Sequence, residues 1–443
     1  KAMFSSAFGA ESSFGCWFES DISNWLPSGW FCTQEDSYYV VNALTEENAA
    51  AKIGDKLYAS LAVAAGDMKN GDTLVLLQSC TGESTIEVKI NQGTIDLNGH
   101  SITNASNPAL KINPYNITPD GEPGVTITSS SPAVITGCPA LQTGTSNDYM
   151  VPITLSDNVT LASNENADPL ELGSGSAVSY SEKYTGYIRN GGFKSTYSDG
   201  KEYIYGGYGS AAKYASDAAK TVTLLNDYTT GSSIKVNRSG TLDLNGKVIT
   251  YTESNQNNDS AAIEFGDSNI SLTLKNGKIN SSDHGIWVSY NGGPNLDNNT
   301  LVMDGITMTV TGQNDDGNGN LVDSYGIMTN GMMINQNITI RNSTITSNGA
   351  GIYFPSANST LRIENSSITG TTGIAVKGGD VTIINSNITG TLATKTNPTT
   401  PINSGFNETG DAIYVEEGYT DRTVTVTIQG GSFVSVANEA ARI

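Results

Sequence analysis

Short apolar strands with polar residues at alternate positions recur along this chain, each broken by Asn before a second apolar pair. The phrase reads TIDLNGHSIT at Thr94–Thr103, TLDLNGKVIT at Thr241–Thr250 and LTLKNGKIN at Leu272–Asn280. It returns as ITIRNSTIT at Ile338–Thr346, LRIENSSIT at Leu361–Thr369 and VTIINSNIT at Val381–Thr389. Between several copies stands a second phrase: GIWV (285–288), GIYF (351–354), GIAV (373–376) and AIYV (412–415). Ile340 and Ile363 are 23 residues apart, and Ile363 and Ile383 are 20 apart. A period of this size built of strands is the signature of a solenoid. The expected class is all-β: a β-solenoid of parallel coils with short N-terminal capping helices. Alternate residues of each strand point inward, so Leu361, Ile363 and Ile368 should stack on Val381, Ile383 and Ile388. Asn245, Asn276, Asn342, Asn365 and Asn385 fall at one corner. Asn tolerates the left-handed backbone that a sharp corner needs, and stacked amides can bond along the axis.

Helical periodicity surfaces twice. Leu57–Lys69 puts Leu57, Leu61, Ala65 and Met68 on one stripe, and the strand Thr73–Gln78 follows. Ala211–Lys220 places Ala211, Tyr214, Ala215 and Ala218 on one face, ahead of Thr221–Leu225. With the later match of IDLNG (95–99) to LDLNG (242–246), this is an internal duplication. The helices are expected to cap coils whose ends would otherwise expose apolar side chains and unpaired edges. The organisation predicted is an exit segment of a preceding unit (1–43), a first β-helical unit (44–172), a Tyr-rich junction with the second helix (173–220) and a longer second unit (221–443).

The run Ala50–Gln78 followed by IDLNGHSIT, with the exit-like segment Phe18–Val41, resembles repeated modules of adhesin-like surface proteins from gut Firmicutes and bifidobacteria. The resemblance spans most of the chain. It implies a pectate-lyase-like right-handed parallel β-helix and an extracellular, cell-surface or secreted setting, and little about activity.

The formal net charge is −21, and no Lys/Arg cluster stands out. Such a surface repels phosphate backbones and anionic membranes, so no nucleic-acid partner is expected. No apolar run approaches the ~20 residues of a membrane span, so this stretch is not expected to insert into a membrane. The expected partner is a host or bacterial glycan or surface protein. Four cysteines lack CxxC spacing; Cys16 with Cys32 is a reasonable disulfide, Cys80 with Cys138 a weaker one, and buried thiols are the alternative.

Candidate chemistry is sparse. Asp283-His284-Gly285 and Asn314-Asp315-Asp316 resemble fragments of polygalacturonase motifs, but their order is reversed and Arg362-Ile363-Glu364 replaces Arg-Ile-Lys. A polysaccharide-degrading enzyme is therefore the alternative to a non-enzymatic stalk or adhesin, and no catalytic residue is assigned. Asn314–Asp323 partly matches a calcium loop, with Tyr325 where the bidentate Glu belongs, so calcium is a weak expectation and no metal ligand or other cofactor is assigned. Tyr203, Tyr205 and Tyr208 lie in a Tyr-rich stretch that serves either as a stacking platform or as packing at the junction. Insertions at 251–260, 311–324 and 391–410 all fall between the "IT" strand and the next "GI" or "AI" strand, so they should share one side. Tyr203, Tyr205, Tyr208, Asn314, Asp315 and Asp316 are the candidate binding residues.

Overall fold

The computed structural model describes residues 17–18, 29–35, 38–82, 84–114, 123–144, 150–164, 167–252, 260–288, 296–315, 321–393, 405–416, 423–436 and 441–442. The chain is all-β apart from three short helices among those residues. It divides into two compact units, one running up to Arg189 with Tyr203–Gly206, the other comprising Asn190–Glu202 with everything from Gly207 on. Among the described residues no helix is long and apolar enough to cross a membrane.

In the second unit each repeat contributes a strand to each of three parallel series. In the first series Ile340 lies opposite Ile363, Ile363 opposite Ile383 and Ile383 opposite Ile428. In the second, Ile345, Ile368 and Ile388 are in register. Leu361, Ile363, Ile368, Val381, Ile383 and Ile388 are all buried while Arg362 is exposed, the period-2 burial that the alternation predicts. Ser271–Ser281, Thr300–Val310, Gly379–Gly390 and Val424–Ser435 run round the corner between the two series and pair in both.

The corner is left-handed. Asn245, Asn276, Asn342, Asn365 and Asn385 have φ of 53, 60, 50, 48 and 46°, and Gly305 and Gly430 hold the place where a coil lacks Asn. The amides do not stack on one another as expected: Asn276 donates to Asp243 at 3.2 Å and Asn342 to Asp304 at 2.9 Å, each a carboxylate of the preceding coil. A carboxylate accepts more strongly than a neutral amide, so it takes the donor. The next position explains the recurrent Asn-Ser pair. Ser366 Oγ accepts the backbone N–H of Ser343, and Ser386 Oγ accepts that of Ser366, both at 3.1 Å.

The third series is an eight-stranded parallel sheet from Ile234–Val236 to Ala441–Arg442. Its strands Ala261–Phe265, His284–Trp287, Ile327–Met328, Ile352–Phe354, Ile374–Val376 and Ile413–Val415 are buried at every residue. A sheet buried on both faces reads as continuous apolar sequence rather than alternation. The equivalent strands of the first unit differ: Glu87, Lys111 and Gln142 are half-buried polar residues between buried neighbours in Ile86–Val88, Leu110–Ile112 and Leu141–Thr143.

Each unit is headed by an antiparallel strand and a helix. Ala51–Ile53 pairs with Thr73–Leu76, and helix Leu61–Asp67 buries Leu61, Ala64 and Ala65. Phe193–Lys194 pairs with Thr223–Leu224, and Ser195 donates to the Ala211 carbonyl of helix Tyr208–Tyr214 at 3.0 Å. Leu57 belongs to strand Lys56–Tyr58 instead of the helix, and the second helix starts ahead of Ala211 and stops at Tyr214. Gly54-Asp55 turns the chain so that Leu57 lies opposite Lys52 in an antiparallel pair, which holds it extended ahead of the helix. Cys80 is a free thiol whose pKa is raised by burial, and Cys16 lies outside the described residues.

Candidate functional site

The third sheet of the second unit carries an outward row in register: Glu264, Trp287, Met328, Tyr353, Ala375 and Tyr414. These side chains alternate with Ile263, Ile286, Ile327, Ile352, Ile374 and Ile413, which fill the interior, so the row must point away from it. Outward residues of a solenoid ordinarily meet water. Here Trp287 is 1% exposed, and Tyr353 and Tyr414 are also buried.

The end of the third insertion supplies part of the cover. Phe406 stacks on Tyr353 with centroids 5.5 Å apart, and Tyr353 Oη donates to the Gly405 carbonyl at 2.9 Å. Lys377 Nζ donates to the same carbonyl at 2.9 Å and lies 3.5 Å from Glu416, both side chains fully buried. Thr409 N–H donates to Thr372 Oγ1 at 3.0 Å. Tyr325 completes the cluster, 5.5 Å from both Tyr353 and Phe406 and 5.1 Å from the stacked ring of His284. It is half-buried, which makes it the member of the cluster open to solvent.

Polar groups gather beside that ring. The second insertion begins as an antiparallel hairpin, Gln313–Asp315 against Leu321–Asp323. Asp323 Oδ1 accepts from Gln313 Nε2 at 2.7 Å and from Asn348 Nδ2 at 3.0 Å. Glu408, from the third insertion, accepts from Thr371 Oγ1 at 3.0 Å. Burial raises the Glu408 carboxyl above its ordinary value, and the charge of Asp323 adds to the shift against the Thr371 hydrogen bond. Asp323 and Glu408 stand two residues from Tyr325 and Phe406, so this part of the second unit has the residue types of a small polar-ligand site: a half-exposed ring with carboxylates and amides.

The residues singled out in the sequence are placed differently. Asp283 is 1% exposed; its Oδ2 accepts Ser260 N–H at 3.0 Å and Ser260 Oγ–H at 2.6 Å, while Oδ1 accepts His284 N–H at 2.6 Å and Ser324 Oγ–H at 3.3 Å. His284 Nδ1 accepts the Tyr325 N–H at 2.8 Å. The pair therefore pins the corner under the insertions. Asn314 and Asp315 sit in the hairpin strand; Asp316 lies outside the described residues. Among the described residues no group of three or more His, Cys, Asp or Glu is placed to hold a metal ion. Tyr203, Tyr205 and Tyr208 are buried, with Tyr205 Oη 3.0 Å from Met150 Sδ and the Tyr208 ring edge-on to Phe193 at 6.4 Å. Tyr353, Phe406 and Glu408 went unnoticed in the sequence as site residues, and Tyr325 was noted only as the residue in place of the calcium-loop Glu. The signal for Tyr353 was the third letter of GIWV, GIYF and AIYV, aromatic where an outward residue should be polar; Phe406 and Glu408 lie in an insertion and carried no such signal.

No family model, no curated protein and no solved structure matches this chain.

Proposed function

We propose that the chain is a right-handed parallel β-helix serving as a non-enzymatic binding segment of a bacterial cell-surface or secreted protein. Its ligand is a host or community glycan or surface protein, taken up beside Tyr325. Parallel pairing of residues 20–23 positions apart supports the coil reading. Right-handedness follows from the rule that about 98% of parallel crossover connections take that hand. The observation that carries the binding reading is the outer row of the third sheet. Glu87, Lys111 and Gln142 occupy those positions in the first unit, whereas Trp287, Met328, Tyr353 and Tyr414 do so in the second. Exchanging polar for aromatic residues on an outward face, then folding an insertion over it, buries the row and leaves the Tyr325 ring half-exposed at its edge, where a ligand can stack.

The test is a panel of glycans and extracellular-matrix proteins screened against the parent and Tyr325→Ala. Binding that the substitution removes supports the reading; binding that survives it places the ligand elsewhere and overturns the assignment. The raised carboxyl of Glu408 beside Asp323 favours one second reading, polysaccharide hydrolysis with Glu408 as acid. Depolymerisation of any panel polysaccharide, abolished by Glu408→Gln, would replace the first reading with the second.

A further inference from the structure

Lysine is rarely buried in full, and among the described residues one lysine is: Lys377. It follows strand Ile374–Val376, and Glu416 follows the neighbouring strand Ile413–Val415. Val376 lies opposite Val415, so the two residues leave the sheet side by side. Backbone bonds fix both. Lys377 N–H donates to the Phe354 carbonyl at 3.0 Å, and Glu416 N–H to the Val376 carbonyl at 2.9 Å. Their side chains are 0% and 2% exposed.

A second cross-strand pair in the same sheet is an ordinary ion pair by comparison. Lys235 lies opposite Glu264 with half of its side chain in water. Glu264 also accepts Ser233 Oγ–H at 2.7 Å and the Ala261 N–H at 3.1 Å. Lys377 is out of water altogether. Its Nζ donates to the Gly405 carbonyl at 2.9 Å and stands 3.5 Å from Glu416 Oε2. That is longer than the about 2.7–2.9 Å of a tight ammonium–carboxylate bond, and close to the separation from which held groups react. Two charges taken out of water are poorly repaid unless their geometry is tight. The third insertion closes the site: the Gly405 carbonyl also accepts Tyr353 Oη–H, and Phe406 stacks on that ring.

We propose that Lys377 Nζ and the side-chain carboxyl of Glu416 join as an isopeptide bond. A proton passing from the ammonium to the carboxylate leaves a neutral amine beside a carboxylic acid. Nζ attacks the carboxyl carbon, the C–N bond forms and the C–OH bond breaks. The hydroxyl departs with one amine proton as water, and nothing is oxidised or reduced. One neutral amide then replaces two buried charges, and its remaining N–H keeps the bond to the Gly405 carbonyl. The cover excludes the water that would reverse the step. The bond closes residues 377–416 into a ring that contains the third insertion, which restricts the unfolded chain and holds the insertion over the outer row.

Intact mass spectrometry of the denatured, reduced protein tests this on the parent alone. The parent should be lighter than its sequence by one water. A tryptic digest should contain a branched peptide that joins Lys377 to Glu416 and is uncut after Lys377. Lys377→Met removes the amine, so it should carry its full sequence mass and melt below the parent. A parent that keeps its full sequence mass after long incubation at neutral pH overturns the proposal. So does a lost water that maps to other residues, or one still missing from Lys377→Met.

Discussion

Asn335 Nδ2 donates to Asn298 Oδ1 across one coil at 2.8 Å, and Asn298 in turn donates to Asn269 at 3.1 Å. This is the amide ladder expected at the other corner, displaced to the one where the chain enters the first series. All three residues are left-handed, with φ of 58, 60 and 61°. The amides are exposed, so water offers them alternative partners and the bonds contribute little net stability. Most of the stabilisation is conformational, because a residue with a Cβ and no local hydrogen bond strains at positive φ.

Asn298→Ala is therefore expected to cost about 1–2 kcal/mol, and Asn298→Gly appreciably less, since glycine adopts this φ freely. Urea unfolding midpoints of the two variants measure the difference. If glycine proves as costly as alanine, the amide bonds outweigh the backbone term.

Ile363 sits in the interior column with Ile340 and Ile383 above and below it, and no part of it reaches solvent. Truncation to Ala leaves a cavity that a stack in parallel register cannot collapse around, for an expected loss of about 3 kcal/mol. Ile363→Asp buries an unpaired charge and should yield no soluble folded protein. Recovery of the Asp variant with an unchanged melting curve would refute the inward placement of this column.

The fold was legible because inward positions repeat a single apolar type at a near-constant interval, as in Ile340, Ile363 and Ile383, and because the left-handed corner selects Asn. The Asn276 and Asn342 partners were not legible. Which oxygen an amide reaches depends on the carboxylate of the coil before, and nothing local to the Asn reports that. The site was hidden for a related reason. Tyr353 and Phe406 are far apart in sequence and come together because an insertion folds back over a sheet. Asp283 and His284 drew attention as reactive types, yet their hydrogen bonds are spent on backbone and hydroxyl groups at a buried corner. Residue type alone carries no information about that. The substitution of Trp, Tyr and Tyr at the third letter of the "GI" and "AI" strands was visible, and it became meaningful once those residues were known to face outward.

Glu408 provides a pH test. Its folded pKa is raised above the ordinary 4.5, mainly by burial, so the fold favours the protonated form. That stabilisation is complete below pH 4.5 and is lost as pH rises through the folded value. Glu408→Gln keeps the oxygen that accepts from Thr371 and removes the charge. The variant should melt at or above the parent at pH 7 and coincide with it at pH 4, flattening the slope between. A variant less stable than the parent at neutral pH would mean that the ionised carboxylate makes a favourable contact that outweighs its burial.

The three insertions are not interchangeable as supports for binding. Loop length by itself costs little stability, which argues that all three could be cut back with the coils intact. The contacts of Phe406, Gly405 and Thr409 change that expectation for 391–410. Replacing this insertion with a tight turn uncovers Tyr353 and its neighbours, and should lower the melting temperature and raise binding of a hydrophobic dye. Shortening 311–324 removes the Gln313–Asp323, Asn348–Asp323 and Ser324–Asp283 bonds but leaves the outer row covered by Phe406, so the fold should hold at a lower melting temperature. Tyr325→Ala is the sharper probe, because the half-exposed ring can be removed without touching either insertion's chain. If the ring is the stacking surface for a ligand, its loss should weaken affinity by at least roughly tenfold, about 1.4 kcal/mol, alongside a modest fall in melting temperature from the lost contacts with His284, Tyr353 and Phe406. Titration of the ligand found in the panel, on the parent, on Tyr325→Ala and on the shortened 311–324 variant, decides the matter. Equal affinity in all three would move the binding surface off this side of the second unit.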